Sequence, residues 1–102
     1  MIRQINTEEY EALNQSGSMM VEFFSKKCGP CKMLSFVLRD VDKLYPDFRI
    51  FTIDFDENQA LKERLGVKGF PTMLFMKEGK EVKRLKGLQQ KPVIISAIEE
   101  IC

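Results

Sequence analysis

The sequence predicts an α/β protein, a central mixed five-stranded sheet flanked by four helices. Two observations carry this. Short runs rich in strand formers alternate with segments of helical period, the order that yields parallel strands joined by right-handed crossovers. The last two strand-like runs instead flank the dipeptide Glu78-Gly79. They must pair antiparallel, which makes the sheet mixed. A chain of 102 residues has room for one core, so residues 1–102 are read as a single domain.

Residues 2 to 5 read as a short strand. Thr7 can cap a helix that carries Glu8 and Glu9 in its first turn, where acidic groups suit the helix dipole, and that ends near Gly17. Residues 19 to 25, MMVEFFS, form an apolar run broken only by Glu22, as expected of a central strand buried on both faces. From Pro30, the positions Leu34, Val37, Leu38, Val41, Leu44 and Tyr45 keep a 3.6-residue period until Pro46 stops the helix. Residues 48 to 55, FRIFTIDF, are the next strand. Asn58 is placed as the cap of a short helix through Leu61 and Leu65, terminated by Gly66.

Residues 72 to 77 and 80 to 86 make the hairpin, with Gly79 free to take the positive φ of a tight turn. Ile94, Ala97, Ile98 and Ile101 share one face of a last helix entered through Pro92. The Met19-Met20 pair and the eight phenylalanines are assigned to the core.

The chemistry concentrates in Cys28-Gly29-Pro30-Cys31. If the chain turns helical at Pro30, thiols at i and i+3 lie on one face of a single turn, within the reach of a disulfide. Pro at the start of a helix loses no needed hydrogen bond, and Gly29 allows a sharp entry. Cys28 then sits at a helix N-terminus, where unpaired N–H groups favour the thiolate. Three cysteines are an odd number and not the disulfide framework of a secreted domain; a close pair in a reducing compartment is catalytic or metal-binding.

These residues resemble the thioredoxin family over almost the whole chain. The match runs through FFSKKCGPCKM after a buried strand, IDFDEN, VKGFPTMLFMKEGKEV and the lone Gly87 before the last helix. The resemblance implies a thioredoxin-like fold and a protein-disulfide reductase in which Cys28 is the attacking thiol and Cys31 the resolving thiol. It implies a cis peptide before Pro71, packed beside the disulfide, where an ordinary trans proline at a strand start is the alternative. It also implies a target-binding surface made by Lys27, Gly29, Pro30, Phe70, Pro71 and Gly87.

Glu22 matches the position of the family's buried aspartate, one methylene longer. A carboxyl in an apolar strand should have a raised pKa and can accept the proton of Cys31. Alternatively, it points outward from a strand edge or hydrogen-bonds for structure. Lys27 stands where the family commonly has Trp, Phe24 where another Trp is common, and Thr52 where a lysine often partners the buried acid. Lys26, Lys27 and Lys32 surround the motif with positive charge, either to favour the thiolate and select partners or as solvated surface. Cys102 is read as a terminal cysteine without a role, against a regulatory or dimer-forming thiol.

A net charge of +1 offers no field for nucleic acid or an anionic membrane, and the chain lacks both a signal-like start and an 18-residue apolar run. The expectation is a cytoplasmic monomer that needs no cofactor. Its partners are disulfide-containing target proteins and either an NADPH-dependent thioredoxin reductase or a dedicated electron donor. With one Cys pair, a remote Cys102 and no His, a zinc or iron–sulfur module lacks ligands. A thiol oxidase or isomerase and a non-catalytic interaction domain are the competing readings.

Overall fold

The computed structural model describes all residues, Met1–Cys102. Nine elements follow in the expected order: β1 (Ile2–Ile5), α1 (Thr7–Glu11), β2 (Ser18–Phe24), α2 (Gly29–Leu44), β3 (Arg49–Asp54), α3 (Gln59–Arg64), β4 (Thr72–Lys77), β5 (Lys80–Lys86) and α4 (Lys91–Ile101). The five strands lie in the order β1-β3-β2-β4-β5. β3 runs parallel to both β1 and β2, whereas β4 is antiparallel to β2 and β5.

Strand alternation divides the core into two layers. Met20 packs with Leu34, Leu38 and Val41 of α2 and Ile94 and Ile98 of α4 on one face of the sheet. Met19, Val21 and Phe23 point to the other face, with Tyr10 of α1 and Leu61 of α3. β2 is therefore buried on both sides, which is why its run carries no polar alternation. Glu22, two residues from Met20, takes the α2 face by the same period.

The first helix departs from expectation at both ends. Asn6, not Thr7, is its cap: Asn6 Oδ1 accepts from Glu9 N at 2.9 Å, while Asn6 N donates to Glu9 Oε1 at 3.0 Å, a complete capping box. The helix stops at Glu11 instead of reaching Gly17. Asn14 there folds the chain locally, its Oδ1 accepting from Ser16 N and Oγ, and Arg49 binds the Asn14 and Ser16 carbonyls at 2.7 Å each.

Asn58 precedes α3 but makes no side-chain cap bond to it. Its Oδ1 instead accepts from Thr7 N and Thr7 Oγ1 at 2.9 and 2.8 Å, and its Nδ2 donates to the Asp54 carbonyl at 2.8 Å. This buried amide joins α1 to the end of β3. Asn58→Ala is expected to cost about 2–3 kcal/mol by stranding these groups, read as a lower urea midpoint with an unchanged m-value.

The 78–79 turn has φ +50° at Glu78 and +79° at Gly79. Glu78 is held in this conformation by Gly17, whose N–H donates to the Glu78 carboxylate at 2.9 Å and whose carbonyl accepts from Glu78 N at 2.9 Å. Six of the eight phenylalanines are buried or half-buried as expected, but Phe36 (49% exposed) and Phe70 (41% exposed) are not.

Candidate active site

The β2 run ends at Phe24, and the chain reaches Cys28 through three residues that hug the sheet end. Ser25 Oγ donates to Asp56 at 2.7 Å and accepts from Lys27 N at 3.3 Å. Cys28 is the N-cap of α2, and its sulfur accepts from Cys31 N at 3.0 Å. Gly29 is the first helical residue and Pro30 the second, one position later than the sequence suggests and equally free of a hydrogen-bond demand. Cys28 and Cys31 form a disulfide with Cα atoms 5.2 Å apart. The two sulfurs differ in access. Cys28 is half-buried, whereas Cys31 is 6% exposed beneath the first turn.

Glu22 is 3% exposed in the central strand, so the outward-facing edge position is ruled out. Its Oε2 has no hydrogen-bond partner, and burial pushes its pKa from 4.5 up to about 7. Thr52 is its neighbour on β3 in register and brings no charge. Glu22, Thr52, Cys28 and Cys31 all line one cavity of about 420 Å³, roofed by α2 and open to solvent. The sequence-derived catalytic residues are thus brought together.

Phe70-Pro71 is a cis peptide with Pro71 buried. Thr72 pairs with Phe23 and with Lys86, so Pro71 lies at the same sheet end as the Cys28 loop, and Gly87 N donates to the Pro71 carbonyl at 2.8 Å. Phe70, Pro71 and Gly87 line a second depression of about 300 Å³. Lys27, in the loop before α2, and Gly29 and Pro30, in its first turn, are exposed. Lys27 lines neither cavity.

The three lysines around the motif are not equivalent. Lys26 Nζ lies 3.5 Å from Glu57 and 3.9 Å from Asp54, so its charge is offset, whereas Lys27 and Lys32 make no ion pair. Two features escaped the sequence reading. Asp54 accepts from Asp56 N at 2.8 Å and Glu57 N at 3.3 Å, a turn to which aspartate is prone and which stood legible in the run DFDEN. Phe55 meets Phe70 edge-on at 5.1 Å beneath Lys62 Nζ, 3.7 Å above its ring, and this contact has no sequence signature.

The thioredoxin family model matches residues 1–100. The chain belongs to the thioredoxin family. It is 33% identical over 100 residues to the thioredoxin of Chlamydia caviae, covering 98% of both chains, and 34% identical over 88 residues to that of Bacillus subtilis, covering 85% of both. Among solved structures, Fasciola hepatica thioredoxin superposes with a TM-score of 0.88 at 27% identity over the whole of both chains. Nicotiana alata thioredoxin gives 0.87 at 29% identity, covering 98% of this chain and 91% of the other. With its redox-active Cys28–Cys31 pair, this family member is a thiol-disulfide oxidoreductase acting on disulfide-containing proteins.

Proposed function

We propose that Cys28 attacks target disulfides and Cys31 releases the product, with Glu22 as the proton acceptor for Cys31. The observation that carries the assignment is the unequal access of the two sulfurs, Cys28 half-buried at the mouth of the helix and Cys31 buried beside the Glu22 cavity. The Cys28 thiolate attacks one target sulfur, forming a mixed disulfide and expelling the other sulfur as a thiolate, which takes a proton. Cys31 then passes its proton to Glu22 and attacks the Cys28 sulfur. The Cys28–target bond breaks, and two electrons have moved from the dithiol to the target.

Lys27, Gly29, Pro30, Phe70, Pro71 and Gly87 are the proposed target-binding surface; their shared position at one end of the sheet supports this. The 102 residues act as one domain, as a monomer, in the cytoplasm; no helix is long and apolar enough to cross a membrane. The dithiol is regenerated by an NADPH-dependent thioredoxin reductase or by a dedicated donor. Insulin reduction driven by dithiothreitol tests the activity. Repeating it with NADPH and a general thioredoxin reductase separates the donors: turnover in both supports the former, turnover with dithiothreitol alone the latter.

Lys27 has no acidic partner to offset its charge, so Lys27→Glu is expected to move the alkylation pH profile of Cys28 upward and to slow reaction with acidic targets. The rate difference should shrink with salt, because screening acts over roughly 8–10 Å at physiological ionic strength. An unmoved profile and salt slope would make the lysine plain solvated surface.

A further inference from the structure

The depression beside Pro71 has a charge pattern that the disulfide chemistry does not require. Gly66, Gly69 and Gly87 line it beside Phe70 and Pro71, together with three cations and no acidic residue. Arg84 is already occupied: it holds Glu81 through two bonds of 2.6 and 2.7 Å and donates to the Leu65 and Gly66 carbonyls at 2.7 and 3.0 Å. Lys68 and Lys86 are exposed and make no ion pair. Two lysines without an ion-pair partner therefore line a pocket of about 300 Å³ whose lining holds no acidic residue.

The pocket is placed where a target would meet it. Lys86 pairs with Thr72, Thr72 pairs with Phe23, and the strand of Phe23 leads directly into the Cys28 loop. A polypeptide whose disulfide lies over Cys28 would need to extend only a few residues along this sheet end to reach the pocket. Charge complementarity decides its side chain.

We propose that the Lys68–Lys86 pocket binds an aspartate or glutamate side chain close in sequence to the target's disulfide, so that this protein prefers targets with an acidic flank. The inference rests on the reductase reading for its biological setting but not for its test. A carboxylate there meets two lysines that lack an ion-pair partner, whereas a basic side chain meets repulsion and an apolar one gains nothing from their charge.

The test uses the intact oxidised protein and two peptides without thiols, serine replacing each cysteine, identical except for glutamate or glutamine two to four residues from the serine. In NMR titrations the acidic peptide is expected to shift the amide resonances of Gly66, Gly69 and Gly87, and the glutamine peptide to shift them far less. Shifts that are equal for the two peptides, or absent, overturn the proposal. A second arm uses the same peptides as disulfides with the reduced protein. The acidic peptide should be reduced about fivefold faster at low salt, the scale of one or two exposed ion pairs, with the preference fading by 1 M salt.

The ratio should fall toward one in Lys68→Gln/Lys86→Gln and fall by less in Lys27→Gln, which keeps both pocket lysines. A ratio that persists in the double variant and falls in Lys27→Gln assigns the preference to the active-site loop and overturns the pocket. Failure to reduce either peptide or insulin would refute the reductase reading while leaving the titration to judge the pocket.

Discussion

Cys28→Ser is expected to abolish disulfide reduction, leaving the rate of the reaction without protein, and Cys31→Ser to accumulate covalent complexes with its targets. The two variants differ because the sulfurs do different work. Without Cys28 the only motif thiol is 6% exposed under the first turn of α2, out of reach of a protein disulfide. Without Cys31 the attack still occurs, but no neighbouring thiol displaces the target, so the mixed disulfide persists until an external thiol resolves it. Non-reducing gels after incubation with a disulfide-bonded protein separate these outcomes. Equal trapping by both variants would mean that either thiol can attack and would remove the assigned order.

Glu22→Gln is expected to act on both turnover and stability. Cys31 needs an ionised acceptor, so release from the mixed disulfide should rise with pH through about 7 in the parent protein. In the variant it should be slower by on the order of 10²-fold, the lower end of what a positioned acid–base group supplies. The stability effect has the opposite direction. Burial keeps Glu22 protonated in the folded chain while the unfolded chain ionises it near 4.5, so the folded state binds the extra proton between these values. Its contribution is fully present below about pH 4.5 and is lost as pH rises through about 7. Urea titrations should show the parent losing about 2–3 kcal/mol relative to Glu22→Gln between pH 5 and 8. A parallel pair of stability profiles would mean that the carboxyl ionises at its ordinary value. An unchanged release rate would leave it outside the mechanism.

The elements whose signals are local were legible in the chain. The hairpin strands Thr72–Lys77 and Lys80–Lys86 fall where the Glu78-Gly79 turn puts them, and Ile94, Ala97, Ile98 and Ile101 are buried on one face of α4 as their spacing implies. The start of α1 was not legible. Asn6 and Thr7 are adjacent residues that both cap well, and the choice is made by Asn58, which claims the Thr7 hydroxyl from 51 residues away. The exposure of Phe36 had a signal, since it falls off the stripe Leu34, Leu38, Val41; that of Phe70 had none.

In the site, the motif and the apolar run around Glu22 were enough to place a buried acid near a cysteine pair. Its lack of any partner, and the pairing of Lys26 with Asp54 and Glu57, depend on how separate strands and loops meet. The Lys68–Lys86 pocket has the same origin, for Lys68 lies in the loop before β4 and Lys86 at the end of β5, where it is paired with Thr72.

Brief alkylation of the dithiothreitol-reduced protein with iodoacetamide, followed by peptide mass mapping over time, tests the order of the two thiols most directly. The exposed Cys102 supplies an internal reference for an accessible thiol. Cys28 is expected to be labelled well before Cys31 and, at neutral pH, ahead of Cys102. Labelling of Cys31 before Cys28 would contradict the assigned order.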